Sequence, residues 1–447
     1  MGFATIYITR LTIRRSDKQM QLEVGKIHIK DLAFSDRTYI EDGVLYVNKR
    51  ELQDYLKEDQ NIKDVNIEFA RPGESVRIVP IKDIVQPRYK VEGKGQVFPG
   101  FISDVETVGQ GKTHILENCA VVTSGKIVNF QEGIIDMSGP GAEYNSFSKM
   151  NNVVLLITPK EGLDKHTHEA TVRVAGLKAA AYLGKASKDL IPDETEKFIY
   201  DPIMKAGTLY PDLPKVAYVY MIQSQGLMHD NYIYGLDAKG ILSTLISPTE
   251  VIDGAIVSGN CAAPCHKNAT IHHLNNPVIL ELLRRHGKDL CFVGVIITNE
   301  STMLMDKKRG ANYTEKLAKI IGAEGAIITE EGGGNPETDL MLICKNLEEA
   351  GIDTVLITDE YAGRDGRSQG LADVTPEANA VITNGNGNEL ITLPPMEKVL
   401  GSLDSVEIIT GGFDGSLHSD GSITVEIASI MGSLCELGYE RLTTRLK

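Results

Sequence analysis

Two rhythms of apolar and polar positions divide the chain. Early runs such as KIHIKDLAF, GVLYVN, VNIEFA and VRIVPI alternate or cluster β-forming side chains, with Asp-Gly or Pro-Gly pairs between them. That pattern predicts short strands closed by tight turns. Glycine-rich and polar loops are expected next, through VFPGFISDVETVGQGKTHIL and DMSGPGAEYNSFS. From about Asn151 the runs lengthen. NNVVLLITP, KVAYVYMIQSQG, LCFVGVIITNES, EGAIITEEG and IDTVLITDE are near-continuous apolar strands. THEATVRVAGLKAAAYLGKA, YTEKLAKIIGA and DLMLICKNLEEAG carry helical periodicity between them. Apolar strands alternating with helices predict a parallel sheet covered on both faces.

The expected fold is therefore α/β, a β-rich N-terminal domain followed by a Rossmann-like parallel-sheet region. The expected division is a β-rich domain over 20–150, an α/β region over 151–260 and an α/β domain over 261–447. Residues 1–19 read as an extension: MGFATIYITRLTIRRSDKQ is basic, and Arg10 interrupts its short apolar patch, unlike a secretory signal. Translation is expected to start near Met20.

Composition narrows the function. The 447 residues carry a net charge of −15, which argues against broad binding to nucleic acid or an anionic membrane. No run approaches the roughly 18 apolar residues that a membrane span requires. Six cysteines, of which only Cys261 and Cys265 lie close together, fit a reduced cytoplasmic protein better than a disulfide scaffold.

Several motifs have ordinary explanations. GQGKT at 109–113 imitates a phosphate loop, but Glu106 stands where the first glycine belongs, so a turn is expected. His166 and His168 are two apart and cannot share a helical face, so they read as solvated or helix-starting. The loops EEGGGNP (330–336), NGNGN (384–388) and DEYAGRDG (359–366) follow strands. Strand ends are where open α/β sheets place ligand crevices, although none of the three matches a dinucleotide fingerprint.

The stretch DGAIVSGNCAAPCHKNATIHHLNNPVI (253–279) is richer. As a metal site it offers Cys261, Cys265, His266, His272 and His273, yet only the Cys-x3-Cys half has zinc-like spacing. As a covalent site it offers the Asn260–Cys261 bond behind Gly259. The thiol can attack the preceding carbonyl to give a thioester. Hydrolysis then leaves an N-terminal cysteine nucleophile. Elimination across Cys261 instead gives dehydroalanine, which tautomerises and hydrolyses to a pyruvoyl group, an electrophile for amines. Asn276-Pro277 is expected to cap the helix PVILELLRRHG and turn its N-terminus toward this site.

VSGNCAAPCHKN, HHLNNPVI, ARPGESVRI, KVEGKGQVFPGFIS, NFQEGIIDMSGPGAEY, LPKVAYVYMIQSQGLMHD and VLITDEYAGRDG together resemble the proprotein of component B of the glycine/sarcosine/betaine reductases, from about Met20 to the C-terminus. Pro264 and His266 are not matched to the family pattern. The resemblance implies cleavage between Asn260 and Cys261, giving fragments of 260 (241 from Met20) and 447 − 260 = 187 residues. It implies a pyruvoyl group derived from Cys261 that condenses with an amine substrate. It also implies as partners a selenocysteine-containing component B subunit, selenoprotein A and, indirectly, component C, which releases acetyl phosphate. Cys265 is a candidate for assisting processing, and His272 and His273 for proton transfer. No metal is assigned on this reading. An N-terminal-cysteine hydrolase and an uncut, zinc-stabilised binding protein remain open alternatives.

Overall fold

A computed structural model describes residues 19–128, 132–259, 264–435 and 437. Residues 1–18, which include most of the expected extension, and both Asn260 and Cys261 lie outside the described residues.

The principal elements of the first part are β1 (Met20–His28), β2 (Ile62–Ala70), β3 (Val76–Val85), β4 (Arg88–Glu92), β5 (Gly111–Glu117), β6 (Cys119–Gly125), β7 (Gly133–Asp136), β8 (Asn151–Pro159), α1 (Lys165–Gly184) and β9 (Glu194–Tyr200). They build sheets of order β9-β1-β5-β4 and β7-β3-β6-β8-β2. Helix α1 closes on the second sheet so tightly that a Cβ on Gly176 would meet Thr123 Cγ2 at 2.6 Å. Every residue of β3 is buried, including three charged ones. Arg77 forms a two-point bond to Asp136 (2.7 and 2.8 Å), and Lys82 pairs with Glu132. Burial of such groups is tolerated only with partners of this kind.

The second part contains β10 (Lys215–Ile222), β11 (Asn231–Ile233), β12 (Thr244–Ile246), β13 (Ile256–Ser258), α2 (Thr270–Leu274), α3 (Pro277–Arg285), β14 (Cys291–Asn299), α4 (Leu304–Ile320), β15 (Gly325–Thr329), α5 (Asn335–Glu349), β16 (Asp353–Glu360), β17 (Val381–Asn386) and β18 (Lys398–Gly401). One sheet has the order β12-β14-β10-β15-β16-β17, with only β12 antiparallel. Numbered by appearance, its parallel strands run 2-1-3-4-5, so the order reverses between β10 and β15. In a doubly wound sheet the ligand crevice opens at the carboxyl ends of the strands flanking that reversal. Strands β10 and β14 are buried almost end to end, as their unbroken apolar runs require.

The α/β expectation matches this architecture, except that NNVVLLITP, read as a strand of the parallel sheet, joins the second sheet of the first part as β8, antiparallel to β2 and parallel to β6. The loop expected over 97–116 does so only in part: β5 occupies its end, Gly111–Glu117, and β6 (Cys119–Gly125) follows directly. Their polar residues are held by neighbours, as when Thr113 Oγ1 donates to Asp253 (2.6 Å), so tertiary pairing overrides weak local preference. GQGKT runs from a turn into β5 and not into a helix, as expected of a turn. His166 and His168 lie in the first turn of α1, which Asp164 caps.

Candidate functional site at the carboxyl ends of the parallel strands

The chain leaves β13 at Ser258 and is described again from Pro264, where a turn over 264–269 leads into α2. Both flanks of the undescribed interval are anchored. Gly259 N–H donates to Asp230 O (2.7 Å), and a Cβ on Gly259 would lie 2.1 Å from His229 O, so no side chain fits. Ser258 N–H donates to Thr270 Oγ1 (2.9 Å), whose hydroxyl donates to Asp83 Oδ2 (2.6 Å). Strand end, following helix and N-terminal sheet are thereby tied together. Loss of hydration pushes the Asp83 carboxyl up to about 6, against the hydrogen bonds from Thr270.

Lys267, in the turn, is fully buried. Its ammonium group donates to Asn231 Oδ1 (3.0 Å), Ser258 Oγ (3.0 Å), Asn268 O (2.9 Å) and Glu331 Oε1 (3.1 Å). Glu331 also accepts from Asn268 N (2.7 Å), Gln223 N (2.7 Å) and Asn231 Nδ2 (2.6 Å). Gln223 follows β10 and Glu331 lies two residues beyond β15, so this ion pair sits at the strand-order reversal.

The same network fixes the tautomer of His273. Asn231 Nδ2 is engaged as a donor, so its Oδ1 accepts, and the contact from His273 Nε2 (3.0 Å) is an N–H donation. His273 Nδ1 is then the acceptor facing Tyr220 OH (2.7 Å). Burial and the nearby Lys267 charge push His273 well below 6.5 and push His272 down to about 3. Both imidazoles are neutral at working pH. His272 diverges from its neighbour: its Nδ1 accepts from Ala269 N (3.2 Å) and its ring lies 5.3 Å from Phe147. A cavity of about 430 Å³ reaches His272, Phe147 and Asn275, but Lys267 does not line it.

The other face of the turn carries a different cluster. Cys265 Sγ lies 3.2 Å from His266 Nδ1 and 3.4 Å from Tyr361 OH. His266 Nδ1 also pairs with Asp359 at the end of β16. Burial alone would lower His266, but the charges of Asp359 and Cys265 raise it well above 6.5. Glu330, just after β15, is raised by burial and by the charges of Asp359 and Glu300.

The structure thus gathers Cys265 and His266 on one face of the turn and His273 on the other, with His272 turned toward the cavity. The five-residue metal set read from the sequence is not assembled, because His272 and His273 stand outside the Cys265–His266–Asp359 group. The expected helix cap is present: Asn276 Oδ1 accepts from Ile279 N (3.1 Å), and its amide donates to Tyr218 OH (3.2 Å). Reasoning from sequence passed over Lys267, Asn231, Tyr220 and Asp83. It flagged EEGGGNP and DEYAGRDG only as generic loops, and these supply Glu330, Glu331, Asp359 and Tyr361. The signal was strand-end position, which was not joined to the Cys/His stretch.

Residues 20–445 match the family model described as glycine/sarcosine/betaine reductase component B subunits. The chain is 56% identical over 428 residues to the glycine reductase complex component B subunits alpha and beta of Acetoanaerobium sticklandii, covering 95% of this chain and 100% of that protein. It is 55% identical over 426 residues to the sarcosine reductase complex component B subunit alpha of Peptoclostridium acidaminophilum (95% and 100%). The betaine reductase complex component B subunit alpha of the same organism is 38% identical over 423 residues (91% and 95%). No solved structure matches the chain. Among the described residues no helix is long and apolar enough to cross a membrane. With the family matched from residue 20 to 445 and its relatives covered from end to end or nearly so, the chain belongs to the component B subunits of the glycine/sarcosine/betaine reductases, oxidoreductase components that work within multi-subunit complexes.

Proposed function

We propose that this chain is a cytoplasmic precursor that cuts itself between Asn260 and Cys261, leaving a pyruvoyl group derived from Cys261 at the head of the 187-residue fragment. The observation that carries the reading is the buried Lys267 ammonium, bonded to Ser258 two residues before that bond. A buried ammonium held beside Ser258 would stabilise negative charge developing on a backbone carbonyl or a departing sulfur in the following residues, and low-dielectric surroundings strengthen such an effect. Glu331 and Asn231 hold the ammonium in one position, so little reorganisation accompanies the reaction. Gly259, without a Cβ, admits the close backbone approach to His229 that directs the chain into the site.

Proton movement falls to His273, whose unprotonated Nδ1 faces Tyr220 OH within a network closed to water. Cys265 assists processing from the opposite face of the turn, and His272 exchanges protons on the cavity side. Once formed, the pyruvoyl carbonyl supplies an electron sink for an amine bearing an N–H, which favours glycine or sarcosine over betaine. This chain has no nucleophile softer than cysteine. A selenocysteine-containing component B subunit therefore completes the reductive cleavage of the carbon–nitrogen bond, with selenoprotein A and then component C receiving the two-carbon product.

Intact mass and denaturing electrophoresis of anaerobically purified protein test this. Two chains are expected, the smaller lacking the sulfur of Cys261 and having a blocked, hydrazine-reactive terminus. Cys261→Ala stays whole. A whole wild-type chain, or a Cys261→Ala chain split at the same bond, overturns the reading. A sulfur-retaining N-terminal cysteine would make the protein a hydrolase instead.

A further inference from the structure

Of the polar cluster on the far face of the turn, only Cys265 enters the chemistry above. Cys265 Sγ, His266 Nδ1 and one Asp359 carboxylate oxygen lie within 4.8 Å of one another, and all three residues are buried. Tyr361 OH is a fourth polar atom there, 3.3 Å from His266 Nδ1. An imidazole nitrogen serves one hydrogen bond, as donor or as acceptor, yet three partners converge on this one. Meanwhile His266 Nε2, Asp359 Oδ1 and both oxygens of Glu330 are buried without a hydrogen-bond partner among the described residues. Glu330 follows β15 and Asp359 ends β16, its parallel neighbour, so the two carboxylates stand at adjacent strand ends. A hydrogen-bonded cluster does not explain donor atoms crowded around one point while carboxylate oxygens beside them go unmet. A cation at that point does.

The geometry points to a structural zinc site formed by Cys265 Sγ, His266 Nδ1 and Asp359, with Glu330, at the adjacent strand end and outside that 4.8 Å group, moving in to close the fourth position. Sulfur, nitrogen and carboxylate oxygen form the donor set zinc favours, and structural sites are four-coordinate. Around a tetrahedral zinc, sulfur and nitrogen ligands stand about 3.5 Å apart. The observed Sγ–Nδ1 separation is 3.2 Å. Glu300, at the end of β14 two strands from β15, adds to the negative potential and is not a ligand; its carboxylate accepts from Glu331 N (3.0 Å). The nearest cations are already committed, Lys267 to Glu331 and Lys307 to Asp339. Because Cys265 is four residues beyond Cys261, the ion pins the start of the smaller fragment to the ends of β15 and β16. All four ligands lie downstream of residue 260, so the site belongs to one fragment and does not depend on whether the chain is cut.

Metal analysis of the full chain, purified anaerobically without chelator, is expected to find about one zinc per chain. The same content is expected in uncut Cys261→Ala, which separates this proposal from the processing one. Replacing zinc with Co2+ should give a thiolate-to-cobalt charge-transfer band that Cys265→Ser abolishes and Cys344→Ser, in a distant buried thiol, leaves intact. Asp359→Asn should weaken zinc binding by about 100-fold. The proposal is overturned if wild-type protein with an unaltered circular dichroism spectrum holds no zinc and gives no cobalt–thiolate band, or if that band survives Cys265→Ser.

Discussion

The two faces of the turn from Cys265 to Asn268 are built from similar residues in opposite ways. On the Lys267 face each donor meets an acceptor, and the buried charge has a carboxylate partner at 3.1 Å. On the Cys265 face several acceptors compete for one imidazole nitrogen, and neighbouring carboxylate oxygens have no partner. A satisfied network fixes geometry and is costly to break. An unsatisfied one gains by taking up a ligand. Two faces of one four-residue turn thus separate preorganisation for chemistry from capacity to bind.

Removing the central charge tests the first face most severely. In the uncut Cys261→Ala background, Lys267→Met should lower stability by about 3–5 kcal/mol in urea unfolding, since it leaves Glu331 buried without its cation. In the otherwise wild-type chain the same change should stop splitting. On the second face the effect is smaller: in chelator-treated protein, Asp359→Asn loses the pair with His266 but also relieves the repulsion with Glu330, and the two changes offset in part. A loss there as large as that at Lys267 would dissolve the contrast between the faces.

Gly259→Ala comes next. The added carbon meets His229 O at 2.1 Å. Splitting, followed by time-resolved gels, should slow by about tenfold or more while the melting temperature falls only modestly. Tyr220→Phe removes the donor to His273 Nδ1 and should cost about 1 kcal/mol, with slower splitting and no change in zinc content. The smallest effect is in pH. Asp83 has its carboxyl raised from 3.8 to about 6 in the folded chain. A raised acid stabilises while protonated, so its contribution is complete below 3.8 and is lost as pH rises through about 6. The stability difference between wild type and Asp83→Asn should therefore fall from about pH 4 to 6 and be flat above about pH 7. A difference that rises across that window would show Asp83 to be ionised throughout.

Long apolar runs made the parallel sheet legible, because a strand buried on both faces must be apolar regardless of its neighbours. Strands β5 and β6 were not legible, since their polar positions become acceptable only when Asp253 and the flanking strands are in place. The site divides in the same way. Cys265, His266, His272 and His273 announced themselves by lying close together in sequence. Lys267 sits among them but reads as a surface lysine until Glu331, 64 residues away, closes over it. Asp359 and Glu330 meet His266 only because two parallel strands end side by side. Local pattern reports what each element needs, and the return of distant strand ends decides what the site contains.

Strand β18 runs parallel to β3, and Arg77 Nη2 donates to Pro394 O (3.0 Å), while β10 lies between β14 and β15 in the other sheet. Each side of residue 260 therefore contributes strands to a sheet that the other side completes. The products of a cut at that bond interlock like clasped hands, and neither has a finished core to retreat to. If the chain is cut as proposed, folding has to precede scission. Separately made fragments would first need to find each other and nest their strands, a second-order process, whereas the unbroken chain supplies both pieces in register. Under the proposed processing, the intact polypeptide serves as its own assembly jig, released at one bond only after the parts are seated.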